Sequence, residues 1–199
     1  MVSSPRLGDI TERIRTCTKC PFHQSRNRAV PGTGNSRARI VLVGQGPGEH
    51  EDAVGVPFVG PAGELLNYLL NIVKLERKSL WLTNVTRCLP PEDRLPNRLE
   101  VRTCAAYLLE ELQAIRPEIV CPLGNLALGV LLRKPAPILQ YHGKTIPTQH
   151  YFLFPMIHPA AALRRTDYLP LIKKDFQALK AFVDSNPTLK PPPGQESLF

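Results

Sequence analysis

The sequence predicts an α/β domain built on a mostly parallel four-stranded sheet with helices on both faces. Two observations carry that prediction. Short apolar runs alternate along the chain with segments of helical periodicity. The glycine-, proline- and polar-rich loops follow directly on the carboxyl ends of three of those runs, where open α/β sheets place their ligands.

Residues 7–16 have helical spacing and lead into Cys17-Thr18-Lys19-Cys20. Residues 38–43 are a β-rich run ending in Gly44-Gln45-Gly46-Pro47-Gly48, a strand entering a tight loop. Residues 62–73 place Leu65, Leu66, Leu69, Leu70 and Val73 on one helical face. Residues 80–84 read as a second strand, followed by a loop with Pro90, Pro91 and Pro96, then an amphipathic helix over 99–115 closed by Pro117. A third strand is expected at 119–122 with a helix over 125–132. A fourth is expected at 151–157, ending at His158-Pro159, and a last helix over 169–183. Residues 1–184 form one domain in this reading, and 185–199 a flexible Pro-rich tail.

Bulk properties narrow the function. The 199 residues suffice for one cored domain, and 43% hydrophobic residues exclude global disorder. A formal net charge of +8 favours a polyanionic partner. No apolar run reaches a membrane span, and residues 1–9 lack a signal-peptide core, so a cytoplasmic, nucleoid-associated monomer with no membrane partner is expected. In that reducing setting the five cysteines are thiols or metal ligands. Cys17 and Cys20 form a CxxC, and Cys88 and Cys104 a wider pair. Four thiolates from two regions suit a tetrahedral zinc or a [4Fe–4S] cluster, and the missing second CxxC leans toward iron–sulfur. Ordinary thiols are the alternative. Cys121, inside an apolar strand, reads as a buried structural thiol.

The strand-end loops hold the other candidates. Gly44-Gln45-Gly46-Pro47-Gly48 lets backbone approach a ligand closely, although such a turn alone is a weak signal. Phe58, between Gly55 and Gly60, is either a stacking platform for a base or a loop anchor. Asn84 has an amide able to pair with a base edge, or to cap a turn. His158 is catalytic or structural.

Together these pieces resemble the family 4 uracil-DNA glycosylases, which carry a [4Fe–4S] cluster. The resemblance runs from about Cys17 to about Leu179. It rests on Cys17-x-x-Cys20, on Gly44 to Gly48 with Glu49-His50-Glu51-Asp52, and on Pro57-Phe58-Val59-Gly60-Pro61-Ala62-Gly63. Further on, Thr83-Asn84-Val85 precedes Cys88 and Cys104, then come Pro122-Leu123-Gly124 and Met156-Ile157-His158-Pro159-Ala160. The resemblance implies a three-layer α/β/α sandwich and a monofunctional DNA glycosylase that removes uracil from DNA, leaving an abasic site. It implies Cys17, Cys20, Cys88 and Cys104 as cluster ligands. Phe58 would stack on uracil, Asn84 would read its polar edge, and Gln45, Gly46 and Pro47 would line the ring. His158 would donate to the oxyanion developing on the base. Leu163 is a candidate wedge into the opened duplex, or a core residue. Arg164 and Arg165 are candidate phosphate contacts. The cluster loop would also present Lys19 and Arg87 to phosphates.

One position departs from the family pattern. Where a glutamate usually helps position or activate water, this chain has Gln45, whose amide holds a water but cannot take its proton. The loss of general-base help slows cleavage by about 10²–10⁴-fold at most. Glu49, Glu51 or Asp52 could substitute, with Glu51 favoured; the alternative is a solvated acidic loop. A uracil-DNA-binding protein with little turnover is the runner-up function. A purely structural iron–sulfur module would leave Phe58, Asn84 and His158 unexplained. The loop over residues 89–99 has no histidine, so covalent trapping of DNA is not expected. Finally, Gln195-Glu196-Ser197-Leu198-Phe199 resembles the short peptides with which bacterial repair proteins dock on the DNA sliding clamp.

Overall fold

A computed structural model describes residues 6–185. Its centre is a six-stranded sheet in the order β1-β3-β2-β4-β6-β5, where β1 is Thr33–Gly34, β2 Ile40–Gly44, β3 Trp81–Asn84, β4 Ile119–Pro122, β5 Ile146–Pro147 and β6 Phe152–Leu153. The four expected strands are the inner ones, and they pair in parallel. The sheet is nevertheless mixed rather than four-stranded, because β1 and β5 add antiparallel edges. Both edges are two residues long, too short for any alternation to show in sequence. The expected strand at 151–157 is a regular strand only at Phe152–Leu153, but its hydrogen bonds to β4 run on, as Phe154 N–H donates to Val120 at 2.9 Å and Met156 N–H to Pro122 at 3.0 Å.

Side-chain alternation sorts the helices into layers. Ile40 and Leu42 of β2 face a core formed with α3 (Pro61–Ile72), α7 (Pro159–Arg164) and α8 (Leu169–Ser185). Val41 and Val43 face the opposite core, under α4 (Arg98–Ile115) and α5 (Asn125–Leu132). This is the expected three-layer α/β/α sandwich. On α3, Leu66, Leu69 and Leu70 recur at helical spacing and are buried. On α4, Asn97 caps the helix by accepting the Glu100 N–H at 2.9 Å, while the Glu100 carboxylate accepts the Asn97 N–H at 2.7 Å. That cap starts the helix at Arg98, and Pro117 follows its end.

A smaller third core lies beside α4, where α1 (Leu7–Arg15) contributes Ile10 and Ile14. Besides α7, two short helices escaped the sequence reading. One is α2 (Glu49–Val54), six residues with four polar positions; the other is α6 (Ile138–Tyr141). No helix among the described residues is long and apolar enough to cross a membrane. Of the expected tail over 185–199, Ser185 ends α8, and the rest, with the terminal pentapeptide, lies outside the described residues.

Candidate functional site

The parallel register sets the site. Gly44 pairs with Asn84, so the last residues of β2 and β3 stand side by side at the carboxyl edge of the sheet. The pairing continues beyond the strands, as Val85 N–H donates to the Gly44 carbonyl and Thr86 N–H to that of Gln45, both at 2.9 Å. Gly44 is required here by contact: a Cβ would lie 2.2 Å from Asn84 Oδ1 and 2.9 Å from Phe58 Cζ. Asn84 is 3% exposed, and its amide has no hydrogen-bond partner among the described residues. That amide opens on the cleft above, where a ligand or water can pair with it.

A cleft of about 730 Å³ opens above this edge. Gln45, Gly46, Pro47, Phe58, Asn84 and His158 all line it, as do Glu51, Leu163, Arg164 and Arg165. The sheet thus gathers the expected base-contacting residues and the expected duplex contacts into one depression.

Phe58 holds a strained backbone, φ 57°, of a kind that costs a bulky residue about 1–3 kcal/mol. Its neighbours enforce it. Arg77 donates to the carbonyls of Pro57 and Phe58, each at 3.0 Å. Glu51 accepts the N–H groups of Val59 and Gly60, each at 2.8 Å, through Oε1. Glu51 Oε2 accepts the Gly48 N–H at 3.1 Å. One carboxylate therefore ties the glycine loop to the Phe58 loop. Three of its roughly four acceptor directions are taken, which leaves little for a water. Asp52, 1% exposed, accepts the Asn27 N–H at 2.9 Å and its side-chain amide at 2.7 Å. The alternative of a solvated acidic loop is thereby corrected: two of the three acids are buried braces on α2, and Glu49 alone is exposed.

His158 faces Phe58 across the cleft, their rings 6.1 Å apart and 26° from parallel. It is the N-cap of α7, with Nδ1 accepting the Ala160 N–H at 3.1 Å and Pro159 in the first turn. Burial lowers its pKa to about 4, against the charge of Glu51 and with that of Arg164. The imidazole is therefore neutral at pH 7. An Nδ1 that accepts leaves the ring proton on Nε2. The preceding residue is pinned as well: Asp175 of α8, 2% exposed, accepts the Ile157 N–H at 2.9 Å and bonds His142 Nδ1 at 2.7 Å. Nothing in the sequence singled out Asp175, because a lone acid within a helix carries no signal.

Helix α7 turns Leu163 outward at 53% exposure, so it is not a core residue. Arg164 is exposed beside it. Arg165 pairs with Asp167 at 2.6 Å and lies over Tyr168.

The third core brings Cys17, Cys20, Cys88 and Cys104 together, around Phe22 and Tyr107. Burial raises the pKa of Cys20, Cys88 and Cys104, the last to about 12. Two donors already address sulfur: Arg26 to Cys88 Sγ at 3.0 Å, and the Arg87 N–H to Cys104 Sγ at 3.3 Å. Four thiols gathered in one core, two of them met by N–H donors, fit a soft metal centre. The side chains are grouped rather than closed on one ion position among the described residues. Cys121 lies apart, 0% exposed in β4.

The expectation that Arg87 reaches phosphates is overturned. Its guanidinium is 1% exposed and bonds Glu111 at 2.8 Å, itself 1% exposed, and also Thr83 Oγ1. Glu111 accepts Thr83 Oγ1 at 2.7 Å and the Gly32 N–H at 3.2 Å, so the cation is spent inside the fold. Lys19 is exposed, over the Tyr107 ring.

Fold and cleft define a class before any particular relative is considered. The sequence model of the Uracil DNA glycosylase superfamily matches residues 31–184, which include every strand of the sheet and the whole cleft. Within it, the chain is 37% identical over 190 residues to a type-4 uracil-DNA glycosylase of Saccharolobus solfataricus, covering 91% of this chain and 88% of that protein. Type-4 uracil-DNA glycosylases of Archaeoglobus fulgidus and Thermotoga maritima are each 36% identical. Both matches cover 87% of this chain, and 91% and 93% of those proteins. The chain belongs to the type-4 uracil-DNA glycosylase family.

Proposed function

We propose that the protein excises uracil from DNA by hydrolysing the N-glycosidic bond, leaving an abasic site as the first step of base excision repair. The observation that carries this reading is the neutral His158, its Nδ1 occupied by Ala160 N–H and its ring set against Phe58. A neutral Nε2–H donor costs no proton, and it is placed where charge develops on a base held in the cleft.

The uracil is flipped out of the duplex and stacks on Phe58, with His158 Nε2–H at its edge. The Asn84 amide reads its polar edge, and Gln45, Gly46 and Pro47 border the ring. As the bond from sugar to base breaks, its electron pair goes to uracil, and His158 Nε2–H stabilises the resulting oxyanion. Water adds to the electron-poor sugar carbon and loses its proton to solvent, with Gln45 holding the water by its amide. Glu51 acts as a positioning residue that keeps Phe58 and the glycine loop in place. Leu163 enters the gap left by the extruded nucleotide, while Arg164 and Arg165 meet the backbone.

Cys17, Cys20, Cys88 and Cys104 would hold a [4Fe–4S] cluster, which supplies cross-links among three chain segments rather than a redox step. The relatives are named as glycosylases, and no observation favours a binding protein without turnover. Gln195 to Phe199 would dock on the DNA sliding clamp. Deleting them is expected to abolish clamp binding and leave cleavage of short oligonucleotides intact; retained clamp binding refutes that part.

Single-turnover cleavage of a uracil-containing oligonucleotide tests the main reading. The native chain should cleave it, His158→Ala should lose most of the rate, and Gln45→Glu should gain. A native chain that binds the oligonucleotide and leaves it intact would refute the function.

A further inference from the structure

A second depression lies on the opposite face of the sheet from α3, α7 and α8. Helix α5 reads Asn-Leu-Ala-Leu-Gly-Val-Leu-Leu, apolar on every side, and such a helix is stable when covered on every side. Only Ala127 and Leu128 are buried, while Leu126, Val130 and Leu131 are partly covered. With Val101 of α4, Ile146 of β5 and Tyr151 they line a groove of about 1040 Å³, where the core beneath α4 and α5 reaches the surface. It meets the uracil cleft only at Pro96.

The charge around the groove is one-sided. Arg98 and Arg102, one turn apart on α4, are exposed at its edge and form no ion pair among the described residues. Arg133 also lines it, and no aspartate or glutamate does. An apolar floor with a cationic, carboxylate-free rim complements a segment that carries acids beside large apolar side chains. Single-stranded DNA fits less well. Stacking platforms for bases are aromatic, and this lining is aliphatic apart from His150 and Tyr151 at one end.

We propose that this groove docks an acidic, apolar peptide segment of a partner protein, its carboxylates on Arg98 and Arg102 and its apolar side chains between α4 and α5. The mode is that of a short segment laid in a helix-walled groove. It leaves the uracil cleft open, so partner and DNA bind together.

Fluorescence anisotropy on the full chain tests it, using a labelled dodecapeptide in which Asp-Asp pairs alternate with Leu-Phe pairs. Saturable binding is expected, weakening with added salt. The double variant Arg98→Glu with Arg102→Glu should weaken it at least about tenfold while uracil excision from a short oligonucleotide stays native. Both positions are exposed, so a thermal melt should match the native chain, and Leu131→Asp gives an independent disruption of the floor. The proposal fails if a peptide with Lys for Asp binds equally well, or if the double variant binds as the native chain does. Displacement of the probe by oligothymidylate would assign the groove to single-stranded DNA instead. Displacement by a peptide copying residues 186–199 would assign it to this chain's own C-terminal segment.

Discussion

Replacing Glu51 separates the two jobs a buried carboxylate can have beside a cleft. Its oxygens accept from Gly48, Val59 and Gly60 at 3.1, 2.8 and 2.8 Å. In Glu51→Ala, the buried Gly60 N–H loses its acceptor at a cost of about 1–3 kcal/mol, and the other two recover water in part. A total of about 3 kcal/mol lowers the melting temperature of a chain this size by about 6–12 °C. Glu51→Gln keeps a carbonyl oxygen for Val59 and Gly60 and loses the Gly48 bond, about 1 kcal/mol and about 2–4 °C. A brace therefore predicts graded effects: Gln retains excision within about tenfold, and Ala loses it together with stability. A general base predicts the reverse, with Gln as damaging as Ala, a rate fall of about 10²–10⁴-fold and an unchanged melt. Thermal melts beside single-turnover excision on both variants decide. A native-like melt with collapsed excision in Glu51→Gln would refute the brace.

Three further outcomes follow from the site. His158 has a folded pKa of about 4 against an ordinary 6.5, so between those values the unfolded chain binds the extra proton. Stability should then fall as pH drops from about 6.5 to about 4, and His158→Gln, followed by urea titration across pH, should remove that component; an unchanged slope contradicts the neutral imidazole. Gly44→Ala puts a methyl against Asn84 and the Phe58 ring, and should cut uracil excision by about 10²-fold or more with a stability loss of about 1–3 kcal/mol; native excision would mean that the base binds elsewhere. Cys104→Ser should purify without a full complement of iron while Cys121→Ser keeps it, read by iron content and visible absorbance; equal iron in both would exclude Cys104 as a ligand.

Legibility in the sequence followed element length and type of signal. The four inner strands are apolar runs, and α4 and α8 span enough turns for their spacing to declare them. The two-residue edges carry no period, and Pro147 within β5 speaks against a strand. Helix α2 was hidden because its acids look solvated in sequence, yet Glu51 satisfies backbone N–H groups of the two flanking loops and Asp52 that of Asn27, 25 positions back. Helix α7 could have been read from His158-Pro159, since a proline in the first helical turn is a start signal. Arg87 misled for a related reason. Basic residues near a metal loop suggest phosphate contacts, and only the fold reveals that Glu111, 24 positions on, has claimed this one. Asn84, Phe58 and His158 stood out as a set through the resemblance, whereas Asp175 became visible only as the acceptor of Ile157.

The segment from Asn84 to Cys88 carries a constraint of another kind. Within it, Asn84 borders the base cleft, Val85 and Thr86 extend the ladder along Gly44 and Gln45, Arg87 is buried against Glu111, and Cys88 enters the cysteine core. Each residue is held in place by its backbone ladder or its side chain. An insertion or deletion here would shift either the amide or the thiol out of place, and no side-chain change could restore both. Homologues are therefore free to vary in length across the exposed stretch 91–95, but should hold the interval between this asparagine and this cysteine constant. Loop grafting between members of the family has its safe junctions beyond Cys88, not before it.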